Sequence, residues 1–179
     1  MPDLRPTLVR LVLAQQNFLR AADAVESSAW DTQPKPGSWS AAELVAHLCQ
    51  VERGVVAYAD RVIRKPPLRI PFYRRFHLPL ALVQRPIIKR KTPIPLDPEL
   101  LAPKETMLAE TRGIRERTFA FLDETNGRDL SAYCWPHPFL GRLNFYEWFE
   151  MLASHQIRHT KQMAEISKNL PIRVATSPN

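Results

Sequence analysis

Residues 154–163 read SHQIRHTKQM, which sets His155 and His159 four residues apart and Gln162 three further on. On a helix all three side chains leave one face. Two imidazoles at that spacing can bind one divalent ion. A third ligand from elsewhere would make an open site suited to reaction, whereas closed four-ligand sites are structural. The competing reading is an ordinary helix whose histidines are packed and hydrogen-bonded in a core. The direction of the face, and the reach of a third ligand, separate the two. A zinc-protease signature is not expected, because it requires Glu directly after the first His as general base and Gln156 stands there.

Proline marks the elements that must position these residues. Of 17 prolines, none falls in 7–33, 37–65, 104–135 or 139–170, and nine crowd into 66–103. Proline inside a helix costs about 3 kcal/mol, so the clear windows are predicted to hold four helices. Each window carries the helical period. Leu8, Leu11, Phe18 and Ala22 mark the first, and Leu44, Leu48, Val51 and Val55 the second. Met107, Leu108, Thr111, Ile114, Thr118, Phe121 and Leu122 mark the third, and Trp148, Leu152, His155, His159, Gln162 and Ile166 the fourth. Ser40–Glu43 and Asn144–Glu147 read as capping boxes, with Trp39/Leu44 and Leu143/Trp148 as flanking apolar pairs. No period-2 strand of useful length stands out. The expected fold is an all-α four-helix bundle. Antiparallel neighbours need only short loops, so the long stretch between the second and third helices is read as a crossover. That gives up-down-down-up topology, with a short helix expected over Phe72–Val83.

His155 and His159 then occupy the inward stripe of the fourth helix. His47 lies seven residues past Ser40, about 10 Å along the second helix. If the fourth helix ends near Lys168, His159 and His155 lie about 14 and about 20 Å from that end. In the expected topology the two ends share a pole, so the three histidines can meet. Zinc or nickel suits such ligands. Gln162 and Glu43, each one turn from a ligand, are candidates for the surrounding pocket. The alternatives are a core hydrogen-bonder for Gln162 and a capping acid for Glu43. His137, before Pro138 in a loop, either reaches the site or shapes the loop. Cys49 sits about 200° round the helix from His47 and is placed off the site.

Three segments carry a resemblance. GSWSAAELVAHL, ending on His47-Leu48, resembles the helix-two motif of the DinB-like family. HPFLGRLNFYEW, residues 137–148, is similar to its third-loop motif. HQIRHTKQ, residues 155–162, is similar to its helix-four motif. The resemblance covers about residues 4 to 168. It implies an up-down-down-up bundle with a divalent metal held by three histidines, at positions that match His47, His155 and His159. It also implies relatedness to S-transferases and isomerases that use bacillithiol, mycothiol or similar low-molecular-weight thiols, and frequent homodimers. The chain departs from the compact version of the family in its long basic segment 66–97.

The 179 residues fit one domain, read as 1–170, with a flexible tail 171–179. Net charge is +7, yet Arg61–Lys91 holds ten Lys/Arg and no acid, leaving 15 basic against 18 acidic residues elsewhere. The basicity belongs to one segment. That segment reads as a solvated crossover, as a contact for an anionic membrane surface, or as a binder of anionic substrate or nucleic acid. Its aromatics are not interleaved for base stacking, so nucleic acid is not the expected partner. Two cysteines make no disulfide framework. The N-terminus lacks a cleavage-site pattern and no long apolar run occurs, so a cytoplasmic protein, peripheral to a membrane at most, is expected. The leading function is a metal-dependent enzyme joining a low-molecular-weight thiol to a small electrophile. The alternatives are a metal-dependent hydrolase and a non-catalytic bundle that binds a membrane or protein partner through the basic crossover.

Overall fold

The computed structural model describes residues 2–67, 79–80, 83 and 95–170. Four helices dominate: α1 Arg5–Asp23, α2 Ala41–Ile63, α3 Lys104–Glu124 and α4 Phe145–Asn169. α1 starts with Pro6 in its first turn, where a missing N–H is harmless and the fixed φ suits the helix. α2 opens on the expected box: the Glu43 amide donates to Ser40 Oγ at 3.1 Å, and the Ser40 amide donates to Glu43 Oε2 at 2.7 Å. α4 repeats it with Asn144 and Glu147, at 3.0 and 2.7 Å. Short 3-10 turns cover Ser27–Ala29 and Pro98–Leu100.

The four helices fall one to each proline-free window and end before the window does, since absence of a breaker permits a helix without requiring one. α3 stops at Glu124, where the Thr125 hydroxyl donates to the Leu122 carbonyl at 2.8 Å and Gly127 turns the chain at φ +82°. One expectation is corrected: the fold is not purely helical. β1 Cys134–His137 and β2 Gly141–Asn144 form an antiparallel ribbon, with Trp135 opposite Leu143 and His137 opposite Gly141. Four residues per strand are too few for a period-2 pattern to register. Gly141, at φ +92°, supplies the turn that brings β2 back. The helix expected over Phe72–Val83 lies outside the described residues apart from Pro79, Leu80 and Val83; Leu80 and Val83 pack on the core.

α1 lies along α4, α2 along α3, and α2 also meets α4. The hydrophobic interior falls into two clusters. One gathers Leu11, Val55, Leu122, Phe145, Phe149 and Leu152 beneath the ribbon's Trp135 and Leu143. The other gathers Phe18, Leu44, Val45, Leu48, Ile114 and Met163. In sequence on three of the helices, a set of buried polar residues falls between them: Glu52 on α2, Arg115 and Thr118 on α3, and Gln156 on α4. Lys104, at the start of α3, donates through Nζ to the carbonyls of Asp23 and Val25 at 2.8 Å each. It thereby satisfies carbonyls left over at the end of α1.

A three-histidine site between two helices

α2 and α4 bring three imidazoles together. His155 Nε2 lies 3.3 Å from His47 Nε2 and 3.0 Å from His159 Nε2. The three ligand atoms all fall within 4.8 Å of one another. His47 and His159 are buried, and His155 keeps part of its surface in solvent. Trp39, just before the α2 cap, edges onto His47 with centroids 4.8 Å apart and lies nearly parallel to His159 at 6.4 Å.

The hydrogen bonds fix how the rings are used. Gln162 Oε1 sits 2.9 Å from His159 Nδ1. A carbonyl oxygen can only accept, so Nδ1 carries the proton and the Nε2 of neutral His159 is a bare lone pair. Burial pushes His47 down to about 4 and His159 to about 3. It also holds His155 well below the ordinary histidine range, with the neighbouring His159 and His47 adding to the effect. All three rings are therefore neutral at pH 7, as ligands must be. One proton can occupy each N···N line, yet three nitrogens converge. Tetrahedral zinc with Zn–N near 2.0–2.1 Å spaces its ligands about 3.4 Å apart, close to the 3.3 and 3.0 Å of two of the three pairs, with the third inside 4.8 Å. The donor set fits a divalent cation, and the group could hold one.

The other expected pocket residues divide. Gln162 faces the group and orients the His159 ring, the kind of support that a metal-binding histidine would need. Glu43 is a capping acid: besides the Ser40 amide it accepts from Gln33 Nε2 at 3.3 Å. His137 shapes the ribbon turn, its Nδ1 accepting from the amides of Phe139 at 3.1 Å and Leu140 at 3.2 Å. Its ring packs on Trp148 at 5.1 Å. Burial pushes His137 down to about 4. Cys49 points away, its sulfur 3.4 Å from Thr111 Oγ1 on α3.

Sequence reasoning missed the buried polar layer. Arg115, 1% exposed, clasps Glu52 through Nε at 2.7 Å and Nη2 at 2.9 Å. The same guanidinium donates to Gln156 Oε1 at 2.9 Å and to the Leu11 carbonyl at 2.6 Å. Thr118 donates to Glu52 Oε1 at 2.7 Å. One guanidinium thus touches all four helices, and Gln156 is the residue after His155. A signal was present: Thr111 and Thr118 put two hydroxyls into the apolar α3 stripe, and Arg115 follows Ile114 directly. Trp39 was legible as an apolar flank of the cap but not as a wall of the site.

Fold and site together define a helical protein with a three-histidine group able to hold a metal ion. The family model of the DinB superfamily matches residues 10–163, and the chain belongs to that superfamily. No curated protein matches it.

Proposed function

We propose that this chain is a divalent-metal-dependent S-transferase that joins a low-molecular-weight thiol to a small electrophile, with His47, His155 and His159 as the metal ligands. The observation that carries the reading is the convergence of three neutral imidazole nitrogens from α2 and α4. Three ligands leave a coordination position open. A zinc or nickel ion there supplies acidity to a sulfur ligand, so that the thiolate is available at neutral pH. The chain's own residues hold the ring nitrogens in place. Gln162 fixes the His159 tautomer, and Trp39 walls the rings on one side. The up-down-down-up order is part of this proposal. It is supported by Thr7 and Arg10 of α1 meeting Glu150 and Ser154 of α4, and by Cys49 and Glu52 of α2 meeting Thr111 and Thr118 of α3.

Hydrolysis is disfavoured by the carboxylates at hand. Among the described residues none belongs to the ligand group, and Glu52 is held by Arg115 and Thr118. The test is elemental mass spectrometry on protein purified without a His-tag, beside a His155→Ala/His159→Ala variant. About one equivalent of metal in the wild type, lost in the variant, is expected. Thiols are then screened with electrophiles. No metal in either protein after incubation with zinc or nickel would overturn the reading.

A further inference from the structure

Both chain neighbours of His155 are gripped from outside α4. Ser154, before it, accepts from Arg10 Nη2 of α1 at 3.1 Å, and Gln156, after it, accepts from Arg115 Nη2 of α3 at 2.9 Å. Both side chains are buried. The Arg115 guanidinium also takes Glu52 of α2 in a fork, through Nε at 2.7 Å and Nη2 at 2.9 Å, and reaches the Leu11 carbonyl of α1 through Nη1 at 2.6 Å. α2 and α4 are the two helices that carry the three imidazoles. They are thus joined twice, once by the histidines and once through a cation from α3, a helix that gives no histidine to the group. Glu52 lies about 8 Å along α2 from His47, and Gln156 about 5 Å along α4 from His159. The clasp is therefore within two helical turns of the ligands on both helices.

Stability alone gives little reason for a charge in that place. A buried ion pair is commonly matched or exceeded by apolar groups of the same volume. A guanidinium offers what an apolar group cannot: donors in a rigid plane, so that bonds to separate helices fix both their spacing and their register. Metal coordination needs such control, since ligand distances hold to about 0.2 Å.

We propose that Arg115, acting through Glu52 and Gln156, is a positioning residue for the three-histidine group. It sets α4 against α2 so that His155 and His159 meet His47 at the separation one divalent ion requires. None of its hydrogen bonds goes to an imidazole, so it acts only through the helices. This role rests on the metal-site part of the S-transferase reading and owes nothing to the thiol chemistry.

The test uses the full chain with zinc, and with cobalt(II) as a coloured stand-in for it. Gln156→Met keeps the length of the side chain and removes the acceptor, which frees the α4 arm while the Arg115–Glu52 fork stays. Leu122→Ala, seven residues past Arg115 in the other apolar cluster, lowers stability without touching the clasp. Zinc affinity, read by chelator competition, should fall about tenfold in Gln156→Met and stay within about twofold in Leu122→Ala. The visible bands of bound cobalt(II), which report coordination geometry, should shift in the first variant and not in the second. The Arg115→Met/Glu52→Leu/Gln156→Leu chain should fold stably and still bind zinc about tenfold more weakly or worse. Unchanged affinity and cobalt bands in Gln156→Met, wild-type affinity in the apolar chain, or an equal loss in Leu122→Ala would each overturn the proposal. Ring-nitrogen 15N shifts of the three histidines are also read on the metal-free chains. They should move in Gln156→Met and not in Leu122→Ala; movement in neither, or in both alike, would overturn the positioning role even if no chain takes up metal. Absence of metal from every chain overturns the S-transferase reading instead, so the two failures are distinguishable.

Discussion

Burial of neutral imidazoles makes the histidines pH-sensitive in a definite direction. An unfolded histidine takes up its proton near pH 6.5, whereas folded His47 holds out to about 4 and His159 to about 3. Between those values the unfolded chain binds more protons, so stability is complete above about pH 6.5 and falls as pH drops toward about 4. Melting temperature of the metal-free chain should therefore decline on acidification through that window. His47→Gln should flatten the decline. Gln162→Ala should cut zinc affinity about 10- to 100-fold, read by competition with a chromophoric chelator, because His159 loses the partner that fixes its tautomer. The pair His155 and His159 was legible because i, i+4 spacing on an inward stripe is a local pattern. The two backbone bonds to His137 were not, since they depend on a turn whose glycine gives no hint of where the amides point.

At the scale of elements, the capping boxes were readable because caps are short and chemical. Ser40→Ala should lower stability by about 1 kcal/mol in urea unfolding, with zinc binding little changed, since His47 lies two turns inside α2. The polar layer is a different matter. Arg115, Glu52 and Gln156 come from three helices, and no single-helix pattern announces that they meet. Glu52→Ala leaves a guanidinium buried without its partner and should cost about 3–5 kcal/mol. A combined Arg115→Met/Glu52→Leu/Gln156→Leu chain removes all the charges at once and should recover most of that stability. Urea unfolding of the two chains checks both values. The ribbon escaped sequence reading for the reason that strands of four residues carry little periodicity, yet it positions His137 and closes Trp135 over the core.

For the whole molecule, the helical frame followed from proline placement, while the ends of the helices and the ribbon needed tertiary contacts to declare themselves. Among the described residues no helix is long and apolar enough to cross a membrane. The ten cations of 61–91 lie mostly outside the described residues. Arg61, at their edge, lies over the Tyr58 ring at 5.3 Å, and Arg64 pairs with Asp60. If the segment seeks anionic surfaces, co-sedimentation with phosphatidylserine vesicles should exceed that with phosphatidylcholine vesicles and fade with salt. Equal binding to both would remove that role. The separation of the ligands carries a last consequence. His47 and His155 are 108 residues apart in the chain, so an ion gripping both acts as a detachable staple across most of the polypeptide. Such an ion binds only where folding has brought the two helices together, so it stabilises the folded chain by mass action. Loading the chain with zinc should thus raise the unfolding midpoint, and stripping the ion with a chelator should lower it again although no helix is lost; how long each molecule survives would then follow the supply of metal.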